Sequence, residues 1–293
     1  MGTDYALEIE GLSKNLGSFH LKDISLKLPK GYILGYVGQN GAGKTTTIKL
    51  ITEIYKHSKG TIKVDGRCYD DDPVAFKDSL GFVADQFYYP NEFTVSMVEK
   101  TLMDFYKTFD PDTFRAYLKK WRLPMDQKVA QFSKGMMVKL MLAGVLSRDT
   151  KLLILDEATS GLDPVVRTEV LDIIQEYIAD GERSVLFSTH IMDDLEQIAD
   201  YIAFIDHGSL LMTGPKDELI EEFVIVKGGN EDLTRELERH LIGCKKNHLG
   251  FEGLLPSDDL SYTNCRMLIE KPSIDKIIIY HIEGIRGKSY ERN

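Results

Sequence analysis

The chain has 293 residues, 43% of them hydrophobic and 28% charged, a balance typical of a globular protein with a sizeable core. Its net charge of −10 argues against non-specific binding to nucleic acid or to an anionic membrane surface. The isolated cysteines Cys68, Cys244 and Cys265 indicate neither a disulfide framework nor a zinc site and suit a reducing, cytosolic compartment. No stretch has the roughly 18 to 20 apolar residues that a spanning helix needs, so we expect another chain to make any membrane crossing.

Strands come first in the predicted order of elements. Short alternations of apolar and polar residues over 5–28 predict β-strands. The apolar segment 31–37 predicts a strand that leads into a glycine-rich loop. The segment 45–55 then predicts a helix, which we expect to bury Ile54 along with its other isoleucines.

An aromatic-rich stretch over 87–123 follows, with helical spacing from Val95 onward, and predicts an inserted helical subdomain. Strands and helices then alternate again. The predicted elements are a strand at 151–155, a helix from Asp163 to about Ala179, a strand at 184–188 and a helix at 192–199. Such alternation favours a parallel sheet with helices on both faces.

The region 223–293 has the pattern of a separate, small α/β unit and contains no motif that assigns it a function. Its predicted elements are a strand at 224–226, a helix over Leu233, Leu237 and Leu241, a strand at 266–269, and a helix from Ser273 that ends at Gly284. We therefore expect two domains, 1–222 and 223–293.

A phosphate-binding loop is predicted after the strand 31–37. The P-loop pattern is matched throughout by Gly38-Gln39-Asn40-Gly41-Ala42-Gly43-Lys44-Thr45. Glycines let the backbone wrap around phosphates with N–H groups pointing inward, and the following helix presents its positive end to the anion. We expect Lys44 to meet the β- and γ-phosphates, Thr45 to ligate Mg²⁺ and Thr46 to belong to the same binding segment. The motif alone indicates a nucleoside triphosphatase and no more.

Two adjacent acids, Asp156 and Glu157, end the apolar strand 151–155. Their side chains point to different sides because strand residues alternate, so the two acids can take different roles. Asp156 suits a Mg²⁺ contact, and Glu157 suits a general base that polarises the attacking water. His190 follows another apolar strand, where it could sense the γ-phosphate and hold that water in line. The predicted catalytic set is therefore Lys44, Glu157 and His190.

Two more motifs flank the acidic strand. One precedes it and reads Phe132-Ser133-Lys134-Gly135-Met136, and the other follows it and reads Ser160-Gly161-Leu162-Asp163. The ordered set over about residues 5–222 resembles the ATP-binding cassette (ABC) family, and is most similar to single-cassette bacterial ATPases for drug, peptide or ion export. The resemblance implies an α/β fold: a RecA-like P-loop core, an N-terminal antiparallel β subdomain, a helical subdomain at about 87–148 and a C-terminal α/β appendage.

The resemblance also implies a head-to-tail pair of cassettes that binds ATP and Mg²⁺. Carried over to this chain, Ser133 and Gly135 would contact the γ-phosphate in the partner's site, and Asp163 would reach the partner's P-loop. One chain then holds half of each site, in a homodimer or a sibling heterodimer, so a monomer should hydrolyse ATP poorly. The motif departs from the usual signature, since Lys134 and Met136 stand where glycine and glutamine are common.

Two other positions leave alternatives open. The adenine-stacking aromatic of the family aligns with Leu16, so either Leu16 or Phe19 would contact the adenine. The Q-loop glutamine aligns with Asp85, with Gln86 one place later, and either residue could reach Mg²⁺ or a water.

The aromatic stretch has two interpretations. In the family the helical subdomain docks a short helix of the membrane partner, and Tyr88, Tyr89 and Phe93 lie near the expected groove. These aromatics either line that groove or, like those of 105–121, fill the core of the subdomain.

The resemblance predicts an ATP-binding and ATP-hydrolysing subunit of an ABC transporter, with export favoured. It would work in the cytoplasm, on the inner face of the plasma membrane, through a transmembrane permease, and would not bind nucleic acid. One alternative is a soluble ABC ATPase that acts on ribosomes or DNA, which the single cassette and the acidic balance disfavour. The other is a regulatory subunit that binds ATP with little hydrolysis, which the intact Glu157 and His190 disfavour.

Overall fold

A computed structural model describes the backbone of residues 4–290 and the side chains as far as residue 285. The chain divides into two compact units, one ending at Thr213 and the other beginning at Gly214. Each has its own hydrophobic core. Among the residues described, none of the helices combines the length and the apolar character that a bilayer crossing requires.

The first unit follows the predicted alternation of strands and helices. Its elements are β1 (Tyr5–Leu16), β2 (Phe19–Pro29), β3 (Ile33–Val37), α1 (Lys44–Ile51), β4 (Lys59–Val64), β5 (Arg67–Cys68), α2 (Pro73–Asp78), β6 (Leu80–Ala84), α3 (Val95–Phe105), α4 (Pro111–Lys120), α5 (Lys134–Leu146), β7 (Leu152–Asp156), α6 (Pro164–Ile178), β8 (Ser184–Thr189), α7 (Met192–Ile198), β9 (Tyr201–Asp206) and β10 (Ser209–Pro215), the last of which spans the boundary.

Two sheets organise this unit. The larger has six strands in the order β10-β9-β3-β8-β7-β6, and its central pairs are parallel. Strands β3, β7 and β8 are buried along their whole length, which explains their continuous apolar runs. A second, antiparallel sheet has the order β2-β1-β4-β5. The structure confirms the predicted α/β class with an antiparallel β subdomain, and it brings the loops after β3, β6, β7 and β8 to one sheet edge.

Helices α3, α4 and α5 form the helical subdomain around a core of their own. Phe114 and Leu118 of α4 are buried there, and Tyr117 stacks on Trp121 with ring centroids 4.9 Å apart. Phe105 is exposed. The aromatics of α4 therefore fill the core, as one of the two interpretations held, whereas Phe105 does not.

The predicted burial of Ile54 is wrong. Helix α1 ends at Ile51, and the side chain of Ile54 is 57% exposed. Glu53 has a left-handed φ of 55°, and the N–H of Ile54 donates to the carbonyl of Lys49. This left-handed residue directly after the C-cap, Thr52, turns the chain away from the helix axis, so the helical spacing no longer applies at Ile54.

Among its described residues, the second unit consists of a four-stranded antiparallel sheet, three α-helices and a 3-10 helix at Ser257–Tyr262. Its elements are α8 (Lys216–Glu221), β11 (Phe223–Gly228), α9 (Arg235–His240), β12 (Gly243–Lys246), β13 (Phe251–Pro256), β14 (Leu268–Glu270) and α10 (Ile274–Tyr290). The strand order is β12-β13-β11-β14.

Two predictions for this unit are corrected. Helix α9 is limited to Arg235–His240, so Leu233 and Leu241 flank it instead of belonging to it. Helix α10 continues through Gly284, where we expected it to end. A Cβ at Gly284 would lie 1.8 Å from the carbonyl oxygen of Ile242, so this glycine allows a close backbone approach and does not mark a helix end.

Candidate functional site

A cavity of about 560 Å³ opens at the sheet edge where the loops after β3, β6, β7 and β8 meet. It is lined by residues from five different segments of the first unit, which are Leu16, Phe19, Gln39, Asn40, Gly41, Gly43, Lys44, Thr45, Thr46, Asp85, Glu157, Ser160 and His190. Most of the predicted site residues thus come together. Leu16 and Phe19 both line the cavity, so the structure keeps both candidates for an apolar contact.

The glycine loop leaves the first turn of α1 without a side-chain cap. The N-cap residue is Gly43, with a φ of 121°, a region that other residues rarely adopt. A Cβ there would lie 3.0 Å from Cζ of Phe19. Gly38 and Ala42 are not in the lining, but a Cβ at Gly38 would lie 2.4 Å from the carbonyl oxygen of Ile205. These glycines fix the loop so that the N–H groups of the helix end remain available to an anion.

Lys44 is held within this loop. Its side chain is only 6% exposed, and Nζ donates a hydrogen bond of 2.7 Å to the carbonyl oxygen of Gly38. The same ammonium lies 3.4 Å from Oε1 of Glu157. A buried ammonium that bridges the loop and an acid places a positive point charge where a phosphate can bind.

Asp156 and Thr45 form a site whose donors suit Mg²⁺. Burial raises the pKa of Asp156 above its ordinary value of 3.8, whereas the Thr45 hydroxyl acts in the opposite direction. Oδ1 of Asp156 is buried and has no hydrogen-bond partner among the residues that the structure describes. A buried carboxylate oxygen is costly unless it is paired, and carboxylate and hydroxyl oxygens are ligands that Mg²⁺ accepts. The residues present therefore fit the ion.

Glu157 and His190 are in direct contact. Nδ1 of His190 and Oε2 of Glu157 are hydrogen bonded at 2.5 Å. Glu157 has a left-handed φ of 55°, which is uncommon for a residue other than glycine, and its N–H donates to the carbonyl of Ser188 on the neighbouring strand β8. This backbone turn directs the two adjacent acids differently, so Glu157 lines the cavity and Asp156 lies beneath it.

A buried acid that the sequence analysis missed supports these loops. Asp194 in α7 is fully buried, accepts a hydrogen bond of 2.8 Å from the Thr159 hydroxyl and is paired with Arg167 of α6. It thus ties the loop that carries Glu157 to the helix that follows His190. Its only signal in the sequence was an acid in the first turn of a helix, which is ordinary. Ser160, also in the cavity lining, was seen only as part of a motif.

Three predicted residues lie outside the cavity and have a local role. Ser133 is the N-cap of α5 and accepts from the N–H of Met136, and Asp163 caps α6 by accepting from the N–H of Val166. A Cβ at Gly135 would lie 2.7 Å from Cγ1 of Val166, so the glycine allows α5 and α6 to approach. None of the three lines the cavity of its own chain.

The structure also separates the two Q-loop candidates. Asp85 follows β6 directly and lines the cavity, while Gln86 is exposed and does not line it. Of the two residues that could reach Mg²⁺ or a water, the geometry therefore favours Asp85, and it gives no support to Gln86 as a metal ligand. Asp85 is in addition paired with Lys134, with Nζ 2.5 Å from Oδ1.

Comparison with known proteins gives concordant results. A family model described as ABC transporter matches residues 21–160. The ABC transporter ATP-binding protein YtrB of Bacillus subtilis is 31% identical over 222 residues, which cover 75% of this chain and 76% of that protein. The lantibiotic transport ATP-binding protein SrtF of Streptococcus pyogenes is 32% identical over 223 residues, or 74% of this chain and 94% of that protein.

A solved structure has the same fold. It is cbiO1 from Clostridium perfringens, described as part of the ABC transporter complex cbiONQ. The TM-score is 0.64 at 26% identity, over 75% of this chain and 92% of that one.

Proposed function

Since this chain belongs to the ABC transporter family of ATP-binding proteins, we propose that it couples Mg²⁺-dependent ATP hydrolysis to export through a separate permease, as one of two paired cassettes. Membership makes it an ATP-binding subunit that powers transport by hydrolysing ATP. The observation that carries the proposal is the cavity in which the glycine loop and Lys44 face the Glu157–His190 pair.

Different residues of the cavity bind the phosphates and transfer the proton. The open N–H groups at the start of α1 and the ammonium of Lys44 bind the phosphates and offset negative charge in the transition state. Glu157 accepts the proton of the attacking water, and the hydrogen bond from His190 orients its carboxylate. Thr45 and Asp156 would hold Mg²⁺, which supplies further positive charge to the triphosphate.

Residues outside the cavity support pairing with a second cassette. Ser133, which the family would use against ATP, and Asp163, which it would use against the partner's P-loop, lie away from the cavity of their own chain. A second cassette, from an identical or a sibling chain, would bring its own Ser133 to the triphosphate and its own Asp163 to the P-loop. Hydrolysis should therefore require the pair.

A groove beside the helical subdomain supports docking of the permease. It has a volume of about 380 Å³ and includes Ile54, Tyr88 and Tyr89 in its lining. Ile54 and Tyr88 are exposed, and Tyr88 donates to the carbonyl of Phe82 at 3.1 Å. Phe93 does not line this groove, so we do not include it in the docking site. A cytoplasmic location at the membrane would follow from this docking.

The central test is Glu157→Gln. The substitution should preserve ATP binding, trap paired cassettes with ATP and lower turnover by roughly two orders of magnitude or more, because the general base is lost. Turnover is measured as phosphate release with the permease present, and pairing by size-exclusion chromatography. Glu182→Gln, in the exposed turn after α6, is the matched control and should be unaffected. Normal turnover by the Glu157 variant would remove the proposed base.

A further inference from the structure

Three carboxylates gather at the sheet edge where the triphosphate is proposed to bind. Ala84 of β6 pairs in register with Asp156 of β7, so the next residues, Asp85 and Glu157, lie at the same level. Both line the cavity, with Asp156 buried beneath. A polyphosphate that binds beside these groups meets like charge, which costs free energy unless each carboxylate has a counter-charge.

Each carboxylate has a different source of positive charge. Glu157 has Lys44, with its Nζ 3.4 Å from Oε1. Asp156, whose Oδ1 has no hydrogen-bond partner among the described residues, would have the Mg²⁺ that it helps to hold. Asp85 has Lys134, whose Nζ lies 2.5 Å from Oδ1, although the two residues are 49 positions apart. The counter-charge of Asp85 thus comes from the signature-like motif of the same chain.

Local structure gives no reason for a lysine at position 134. Lys134 is the first residue of α5, where a cation is disfavoured by the positive end of the helix dipole. The side chains of Lys134 and Asp85 are 35% and 49% exposed, and such pairs contribute little to folding stability. The charge of Lys134 is therefore unfavourable at the start of its own helix, but it neutralises Asp85 of the cavity.

We propose that Lys134 is a positioning residue that acts in cis: it neutralises and holds Asp85 so that the phosphates of ATP can bind beside this carboxylate. Its chain neighbour Ser133 would serve the partner's site, so the same segment would act on both cavities of the pair. This inference rests on the proposed function, which places ATP in the cavity of the P-loop.

The test is the affinity of the full chain for ATP without Mg²⁺, measured by isothermal titration at a concentration where size-exclusion chromatography shows a monomer. Lys134→Met should weaken binding roughly three- to fivefold, as expected for one exposed charge pair, and the loss should shrink in high salt. The double variant Asp85→Asn, Lys134→Met should return to near the wild-type affinity, because no uncompensated carboxylate remains. Lys134→Gln serves as a second variant if the methionine form aggregates.

Lys139→Met is the matched control, since Lys139 lies on the same helix and is paired with Glu169 outside the cavity. It should bind ATP like the wild type. Unchanged affinity in Lys134→Met, or a double variant as weak as the single one, would overturn the inference. A lower melting temperature of Lys134→Met with unchanged affinity would assign the pair a structural role instead. If the wild-type chain itself bound no ATP, with or without Mg²⁺, the proposed function would fail first.

Discussion

Helices α1 and α5 both begin at a motif expected to face phosphate, yet their first turns are built differently. At α1 the N-cap is Gly43, and no side chain accepts from the helix N–H groups. At α5 the N-cap is Ser133, whose hydroxyl already accepts from the N–H of Met136. The first end opens into the cavity, while the second lies outside it. A P-loop that binds an anion within its own chain needs backbone N–H groups that no side chain caps. The start of α5 has a side-chain cap, which suits a helix end that serves its proposed role only in a pair of cassettes.

The largest expected effect is at the α1 end. Lys44→Met should lower ATP affinity by roughly tenfold or more and turnover by at least about 100-fold, because it removes the buried ammonium that faces both the loop and Glu157. Titration with ATP and phosphate release measure these effects. Lys49→Met, on the same helix but over the ring of Tyr55, is the control and should leave both unchanged. Equal losses in the two variants would mean that the helix, not the ammonium, was disturbed.

Asp156→Asn, in the residue buried beneath the same cavity, should lower turnover but raise the stability of the fold. We expect turnover to fall by roughly 100-fold, since the Mg²⁺ site loses its carboxylate. The protein without nucleotide should melt at a higher temperature at pH 7, because burial raises the pKa of Asp156 and so makes its ionised form costly in the folded state.

The same substitution has a defined pH dependence. A carboxyl whose folded pKa is raised destabilises the fold above that pKa, and the penalty disappears as pH falls towards the ordinary value of 3.8. The difference in melting temperature between Asp156→Asn and the wild type should therefore shrink on acidification. If this difference in melting temperature stayed constant with pH, the buried charge of Asp156 could not be its cause.

Ser133→Ala tests the α5 end. Monomer affinity for ATP should be unchanged, whereas turnover of the pair should fall about tenfold through loss of the trans contact. Loss of the cap should also cost about 1 kcal/mol of unfolding free energy. Thr234→Ala removes an equivalent N-cap from α9 in the second unit and controls for stability. If Thr234→Ala lowered turnover as much as Ser133→Ala does, the loss of activity in Ser133→Ala would come from reduced stability alone.

Phe19→Ala and Leu16→Ala should give the smallest effects and resolve the adenine contact. Substitution of the residue that packs against the base should raise the KM for ATP several-fold, because an aromatic contact contributes about 0.5–1.5 kcal/mol. Inorganic triphosphate competition should be unchanged in both variants, because neither side chain belongs to the phosphate loop. A shift in triphosphate binding would place the affected residue against the phosphates instead.

The sequence by itself determined the strand–loop–helix unit around Lys44, the two acids at the end of β7 and the position of His190. It could do so because each motif is local: a glycine loop, a buried strand and the residue that follows it constrain each other within a few positions. The parallel sheet then placed these strand ends together, as the alternation of strands and helices predicted.

Only the tertiary structure decided the remaining features. The pairing of Asp85 with Lys134, the burial of Asp194 against Thr159 and Arg167, and the exposure of Ile54 all depend on elements that are distant in sequence or on one left-handed residue. Gly284 illustrates the reason most simply. In the sequence a glycine at that position is typical of a helix end, but the backbone that approaches it is that of Ile242, just before β12, and sequence patterns carry no record of such contacts.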